Sequence, residues 1–538
     1  MRTLRRLVAM LLVLTLAMSM AGIAAAEDEP IKLKVAAAFG TPTDWTQNDM
    51  IQWIRDNFNL DLECDTYPLD AWMNQLSLML LTDELPDIIY NNTLATYTAI
   101  NQYGDEGYFL NFLDYLDVMP NFKKHLETYP EYAAYITSPS GAIYSMSRVN
   151  PTGIVMDDSK AQINIEWLKN VGKEIPTTLD ELYDVLCAFR DQDANGNGAP
   201  GDEIPMSYCN ASAGSYRLEW NIRAAFGIYS DQRSYCLQAD ENNQVYIAET
   251  TEGYKDFLKY MRKLYAEGLL DSETYIQTND EFRAKLTENI VGYGNDSSTM
   301  SLRAKLGEDV WDYCLAFDSE QTGQKAYILG TYWLNNPRLC VSATTEYPEE
   351  ICKLLDYFLS PEGSEFSVMG LEGVNYDRVM TDLGIMTYDY SSYMTAADYE
   401  DSTTYLKEKA IIDSFFYLLT YDYVQEYLNT LTDAELEDFI ARDTQNLFRS
   451  TATRVKALRG CDLVKAFPSL SYTQEQTDAR ADIYTDITNY IATMKVQFIT
   501  GVVDIDSYWD TFVSTLNEQG LETILAIDQE AYNHYLGL

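Results

Sequence analysis

The sequence predicts an α/β protein of two or more domains with a helix-rich C-terminal part, on three observations. The stretch after residue 30 alternates strand and helix patterns. The chain has 538 residues, 46% of them apolar, more than one core usually covers. Beyond about residue 400 the apolar spacing is mostly helical. No fixed-period repeat is visible, which argues against a solenoid.

IKLKVAAAF (31–39) reads as the first strand. Asp44 precedes a helical stretch whose Met50, Ile51, Trp53, Ile54 and Phe58 share one face. LDLECDTY (60–67) is a second strand, and Asp70 is placed to cap the helix carrying Leu76, Met79 and Leu80. DIIYNN (87–92) is a short buried strand running into a loop. Strands separated by single helices predict a parallel sheet covered on both faces. Ligands in such sheets sit beyond the carboxyl ends of the strands. FGTPTDW (39–45) and YNNT (90–93) are therefore rim loops, with Asp44, Trp45, Tyr90, Asn91 and Asn92 as ligand-contact candidates.

A second region begins near 150. Thr178 and Glu181 form a capping box before a helix with Leu179, Leu182, Val185, Leu186 and Phe189 on its buried face. TEGYKDFLKYMRKLYAEGLL (251–270) is amphipathic, with Gly268 as its C-terminal cap. Tyr216, Arg217 and Trp220 stand in the polar stretch SAGSYRLEW, and Trp333 in GTYWLNN. These four join the ligand-contact candidates, whereas Trp53 and Trp167 follow helical apolar patterns and are read as core.

The first 26 residues read as a signal peptide. Arg2, Arg5 and Arg6 precede a short apolar run, and Ala24-Ala25-Ala26 fits the small-residue cleavage rule, leaving Glu27 as the new terminus. No Cys follows the run until Cys64, so the usual lipid anchor is missing. The expected location is secreted, on the outer membrane face or in a periplasm. A formal charge of −45, from 83 Asp+Glu against 38 Lys+Arg, disfavours nucleic acid and anionic lipid as partners. The eight cysteines are scattered with no CxxC pair, which disfavours zinc and redox motifs. The two histidines, His125 and His534, read as surface residues, and no G-x-S-x-G or P-loop motif appears.

DQDANGNGAPGDEIP (191–205) places carboxylates and amides at alternating positions after a helix, with glycines where the chain must turn. From Asp191 it matches an EF-hand spacing, with Asp202 where a Glu is usual. From Asp193 the set is Asp193, Asn195, Asn197, Asp202 and Glu203, with Asp191 as an additional candidate. Hard oxygen donors suit Ca²⁺ rather than zinc. An ordinary Asx/Gly turn is the alternative, since the same residues dominate loops. The site would be structural, because a sensor needs a second copy and Pro205 breaks the helix that would follow.

EWLKNVGKEIPTTLDELYDVLCAFRDQDANGNGAPGDEIP (166–205) resembles the signature block of extracellular solute-binding proteins of ABC importers. The branch is the family 1 type with LipO-like lipoproteins and alginate-oligosaccharide-binding proteins. LSLMLLTDELPDIIY (76–90), YMRKLYAEGLLDSE (260–273) and LLDYFLSPEGSEFSVMGLEGVNY (354–376) agree in order. The resemblance implies a type II periplasmic-binding-protein fold with two lobes and a hinge. Residues 27–149 and about 325–376 would form lobe I; residues 150–324 and about 377–538 would form lobe II. It also implies calcium at the positions matching Asp193, Asn195, Asn197, Asp202 and Glu203, and adds Asn375 and Tyr376, which end EGVNY, to the ligand contacts. Asn164 and Glu166 depart from the Arg and Asp frequent there.

Such a protein would be a monomer that catalyses nothing, closes over a solute, most readily an oligosaccharide, and hands it to permease subunits. A secreted carbohydrate-active hydrolase is the first rival, and a peptide-binding or non-transport glycan-capture protein the second. The hydrolase would need two positioned acids, which 83 acidic residues do not exclude.

Overall fold

The computed structural model describes residues 29–39, 48–68, 71–90, 97–147, 161–211, 216–230, 232, 234–295, 310–329, 337–389, 392–393, 423–443 and 449–537. The predicted leader (1–26) lies outside them. Two α/β lobes, each with its own four-stranded sheet and core, carry the described chain.

In the first lobe β1 (Ile31–Phe39), α1 (Asp49–Phe58), β2 (Leu60–Pro68), α2 (Trp72–Thr82) and β3 (Ile88–Tyr90) follow the predicted alternation. β1 runs parallel to both β2 and β3. Met50, Ile51 and Ile54 of α1 pack with Leu33, Val35 and Ala37 on one face of β1. Trp72 and Leu76 of α2 pack with Ala36 and Ala38 on the other, as the period of two along a strand requires. Asn48 caps α1, accepting from the Met50 N–H at 3.0 Å. The cap position of α2 is Ala71, with no side-chain bond, and Asp70, the expected cap residue, lies outside the described residues. α3 (Tyr97–Asp105), a 3₁₀ turn, α4 (Pro120–Thr128) and α5 (Pro130–Ile136) complete this first passage. His125 lies half-buried rather than on the surface, its Nε2 2.8 Å from the Leu359 carbonyl, and burial lowers its pKa.

The second lobe holds β4 (Gln162–Asn164), α6 (Ile165–Asn170), α7 (Leu179–Asp191), β5 (Ile204–Met206), α8 (Leu218–Ala224), the ribbon β6 (Leu237–Ala239) and β7 (Val245–Ile247), α9 (Glu252–Ala266), α10 (Asn279–Thr287), β8 (Val291–Gly294), β9 (Trp311–Tyr313) and β10 (Ala326–Leu329). Its sheet order is β5-β8-β4-β9. Thr178 caps α7 through the Glu181 N–H, but the Glu181 carboxylate takes Thr177 instead of closing the predicted box. A Cβ at Gly292 of β8 would meet the Phe189 ring at 2.5 Å, so sheet and helix touch at that glycine.

The chain returns to the first sheet with β11 (Leu339–Val341), which pairs antiparallel with β3, then α11 (Pro348–Phe358) and α12 (Pro361–Met369). Ala326 and Ile328 of β10 pack in the second core, so the return lies later than the expected boundary near 325. The hairpin β12 (Asp377–Met380) and β13 (Met386–Asp389) leads to α13 (Tyr423–Thr430), α14 (Asp433–Arg442) and α15 (Arg449–Arg459). Its Arg378 pairs with Glu365 of α12 at 2.5 Å, keeping the hairpin on the first lobe, while Ile385 packs with Leu428, Leu436 and Phe439. β14 (Asp462–Lys465) pairs parallel with β10. α16 (Gln474–Thr500), α17 (Ile505–Glu518) and α18 (Leu521–Tyr535) close onto the second core. All eight cysteines are free thiols. Burial pushes those of Cys64, Cys314, Cys340 and Cys352 up to about 12, where thiolate chemistry stops.

Candidate functional site

The acidic loop leaves α7 at Asp191 and turns through Gly196, Gly198 and Gly201, all at positive φ. At Gly196 a side chain would also press on Asn170 Nδ2, 3.3 Å away. Asn195 and Asn197 donate their amides to the two Asp202 oxygens at 2.9 and 2.7 Å. The Glu203 carboxylate, mostly buried, accepts from Ala194 N at 2.8 Å and from Gly201 N at 2.8 Å. Asp193 Oδ2 accepts from Gly198 N at 3.0 Å, whereas Asp193 Oδ1 is buried with no hydrogen-bond partner among the described residues. Three carboxylates and two amides stand along this loop, with one carboxylate oxygen buried and unspent, although no three acids among the described residues are drawn together closely enough to hold a metal ion as they stand. That donor set fits a hard, oxygen-seeking cation. Asp191 points elsewhere, bound to the Arg190 guanidinium at 2.7 and 2.9 Å.

At the second sheet's rim, Ser207 and Tyr208 continue β5. Ser207 Oγ donates to Asp271 at 2.7 Å, and Lys285 Nζ ties Asp271 to Glu273 at 2.8 and 2.6 Å. Tyr216, Arg217 and Trp220 come together as one group. The Tyr216 ring meets Trp220 edge-on at 5.9 Å, and the Arg217 guanidinium lies 5.2 Å from the Trp220 ring. Every residue of α8 is buried, Trp220 completely. Beneath it, Tyr208 OH and Lys495 Nζ (3.1 Å) both bind the Glu219 carboxylate, which is wholly buried.

The first lobe's candidates lie apart from these. Tyr90 is fully buried at the end of β3 and accepts from Arg338 Nη1 at 3.2 Å. Asn375, also buried, donates to Asp49 at 2.9 Å, and Tyr376 donates to Glu365 at 2.8 Å. Asn375 thereby ties down the start of α1. Asp44, Trp45, Asn91, Asn92 and Trp333 lie outside the described residues.

Where α3 of the first lobe meets the start of α16 on the second, an open crevice of about 250 Å³ lies between them. Thr98 and Gln102 of α3 line one wall; Tyr472, Gln474, Thr477 and Arg480, at and before the start of α16, line the other. β3 ends at Tyr90 and α3 begins at Tyr97. Arg480 is held from three sides. Its guanidinium lies 4.4 Å from the Tyr472 ring and 4.6 Å from the Tyr484 ring, and Nη2 lies 3.1 Å from Asp528. Asp528 is wholly buried and also accepts from Tyr235 OH at 2.5 Å and Tyr472 OH at 2.6 Å. Sequence reasoning missed these residues. The available signal was an arginine four residues before Tyr484 on one helix face, in a chain poor in cations. A larger cavity of about 480 Å³ lies between residues 175–177 and β9 on one side and helices α14 and α15 on the other.

No family model matches the chain. It is 26% identical over 521 residues to the fructooligosaccharide ABC transporter substrate-binding protein FusA of Streptococcus pneumoniae, covering 95% of this chain and 91% of that one. It is also 26% identical over 239 residues to lipoprotein LipO of Bacillus subtilis, covering 41% and 45% of the two chains. Among solved structures, FusA in complex with kestose superposes with a TM-score of 0.68 at 23% identity, covering 94% of this chain and 99% of that one. An EF-hand mutant of FusA with fructo-nystose gives 0.67 at the same coverage. Alginate-binding protein AlgQ2 without calcium ion gives 0.62 at 21% identity, covering 94% and 98%. These likenesses in structure carry the fold: two α/β lobes of the periplasmic-binding-protein type. In sequence over most of its length, and in fold, the relatives of this chain are substrate-binding proteins of ABC transporters.

Proposed function

We propose that this chain is the exported solute-binding component of an ABC importer, capturing an oligosaccharide by lobe closure and delivering it to permease subunits. The observation that carries the reading is the crevice walled by both lobes, in a chain related over 95% of its length to a fructooligosaccharide-binding protein. Closure needs a ligand that prefers the closed state, and differential contacts worth a few kcal/mol across the crevice suffice. The chain acts as a monomer, catalyses nothing, and carries its ligand contacts on the rim residues of both lobes. The division into lobes falls near residues 150 and 338, with the C-terminal helices on the second. Isothermal titration of the mature protein with fructooligosaccharides and other glycans, followed by mass spectrometry of the mixture, tests this. Stoichiometric binding with intact ligand is the expected result, and cleaved product would move the protein to the hydrolases.

The acidic loop is proposed as a calcium staple, held by Asp193, Asn195, Asn197, Asp202 and Glu203. The support is the unpartnered Asp193 oxygen and the donor chemistry. Bound calcium would fasten α7 to β5 and supply no chemistry. At a free concentration one hundred times its Kd, calcium adds about 2.7 kcal/mol of stability. Asp193→Ala should therefore lower the melting temperature by several degrees in calcium while leaving the value in EDTA nearly unchanged. Parent and variant melting together in calcium would remove the staple.

A further inference from the structure

The charge of the ligand can be read from the same crevice, an inference that rests on its assignment as part of the solute site. We propose that the crevice between α3 and α16 is a subsite for one uncharged sugar ring, and that it rejects uronic-acid units. Its volume, about 250 Å³, falls below the ~300–1,000 Å³ of pockets that enclose drug-sized ligands, so it takes a single ring rather than a chain. Thr98 and Thr477 offer hydroxyls, Gln102 and Gln474 amides, and Tyr472 an aromatic face.

The one cation among the described residues of this wall does not recruit a carboxylate. Arg480 already faces the buried Asp528, and two tyrosine rings cover its guanidinium. Both lining amides lead to acids. Gln102 Nε2 donates to Glu106 at 3.1 Å, and Gln474 Nε2 donates to Asp478 at 2.7 Å. Glu106 and Asp478 are exposed, one on each lobe and each bound to a lining amide, and neither is ion-paired among the described residues, so the crevice carries two negative charges beside its walls. Burial raises the Tyr472 phenol, which stays neutral and adds no charge. Guanidinium and Asp528 cancel, and the rim stays acidic. A neutral ring crosses it without penalty; a carboxylated ring is repelled by both walls.

The test titrates the mature protein calorimetrically with kestose, maltotriose and trigalacturonate at about 0.05 M salt, and again near 0.5 M, where the screening length is much shorter. At least one neutral trisaccharide should bind at least tenfold more tightly than trigalacturonate, with the ratio shrinking at high salt. In the double variant Glu106→Gln/Asp478→Asn, which alters exposed side chains only, the ratio should fall at least threefold with the melting temperature kept. Trigalacturonate binding as tightly as every neutral probe, or an unchanged ratio in the variant, overturns the subsite while leaving the transport reading in place. Failure of all three sugars to bind overturns the oligosaccharide reading itself.

Discussion

Lys495→Met should remove about 3–5 kcal/mol of unfolding free energy, the cost of leaving one partner of a buried pair behind. Glu219 on α8 is wholly buried, and Lys495, 4% exposed on α16, supplies its counter-charge at 3.1 Å. Burial alone would raise the Glu219 carboxyl. Lys495, Arg223 and the Tyr208 hydroxyl outweigh it, and its pKa ends below the usual value. A depressed carboxylate contributes stability that is present above its unfolded pKa and lost as pH falls through the folded one. In the variant the lysine is gone and burial acts with less opposition, so the carboxyl pKa moves upward. The deficit is then largest at neutral pH and narrows on acidification. Urea midpoints of parent and variant at pH 7 and pH 5 check this, and equal midpoints at pH 7 would sink it. Glu219→Gln in the same chain should recover part of the loss, because the orphaned charge disappears.

Trp220→Ala should cost about 3–5 kcal/mol, as truncation of a large buried side chain does. The ring is fully buried among Tyr216, Leu218 and Ile222, and its indole N–H has no hydrogen-bond partner among the described residues. Thermal melting of the variant, with and without kestose, separates core from contact. A variant that melts like the parent yet loses the sugar would place the ring in the solute site.

That ring shows where sequence reading stops. Strand–helix alternation in residues 31–90 made the first sheet legible, because parallel strands joined by helices write their period directly into the chain. The antiparallel β11 was not legible: Leu339–Val341 joins Tyr90 only after the chain has built the other lobe. Aromatic residues were the harder problem. Trp167 and Trp220 are both buried, but only Trp167 has helical apolar neighbours that announce it. The stretch around Trp220 looks polar because Glu219 and Arg223 are buried with it, Glu219 paired with Lys495 far along the chain and Arg223 bound to Ser230, Gln232 and Cys236 in the segment that follows. The acidic loop's candidate donors could be named from spacing alone, since they lie within eleven consecutive residues. The crevice was not, since α3 and α16 meet only in three dimensions.

At 1.5 Å per residue the 27 residues of α16 make a rod of about 40 Å. Its first turn borders the crevice against α3, and its last carbonyl accepts from Arg262 at 3.0 Å. A tilt of about five degrees at one end displaces the other by roughly 3 Å over that length. A solvatochromic dye attached at Val502→Cys, just past the rod's tip and 74% exposed, would thus signal capture from the remote pole of the molecule.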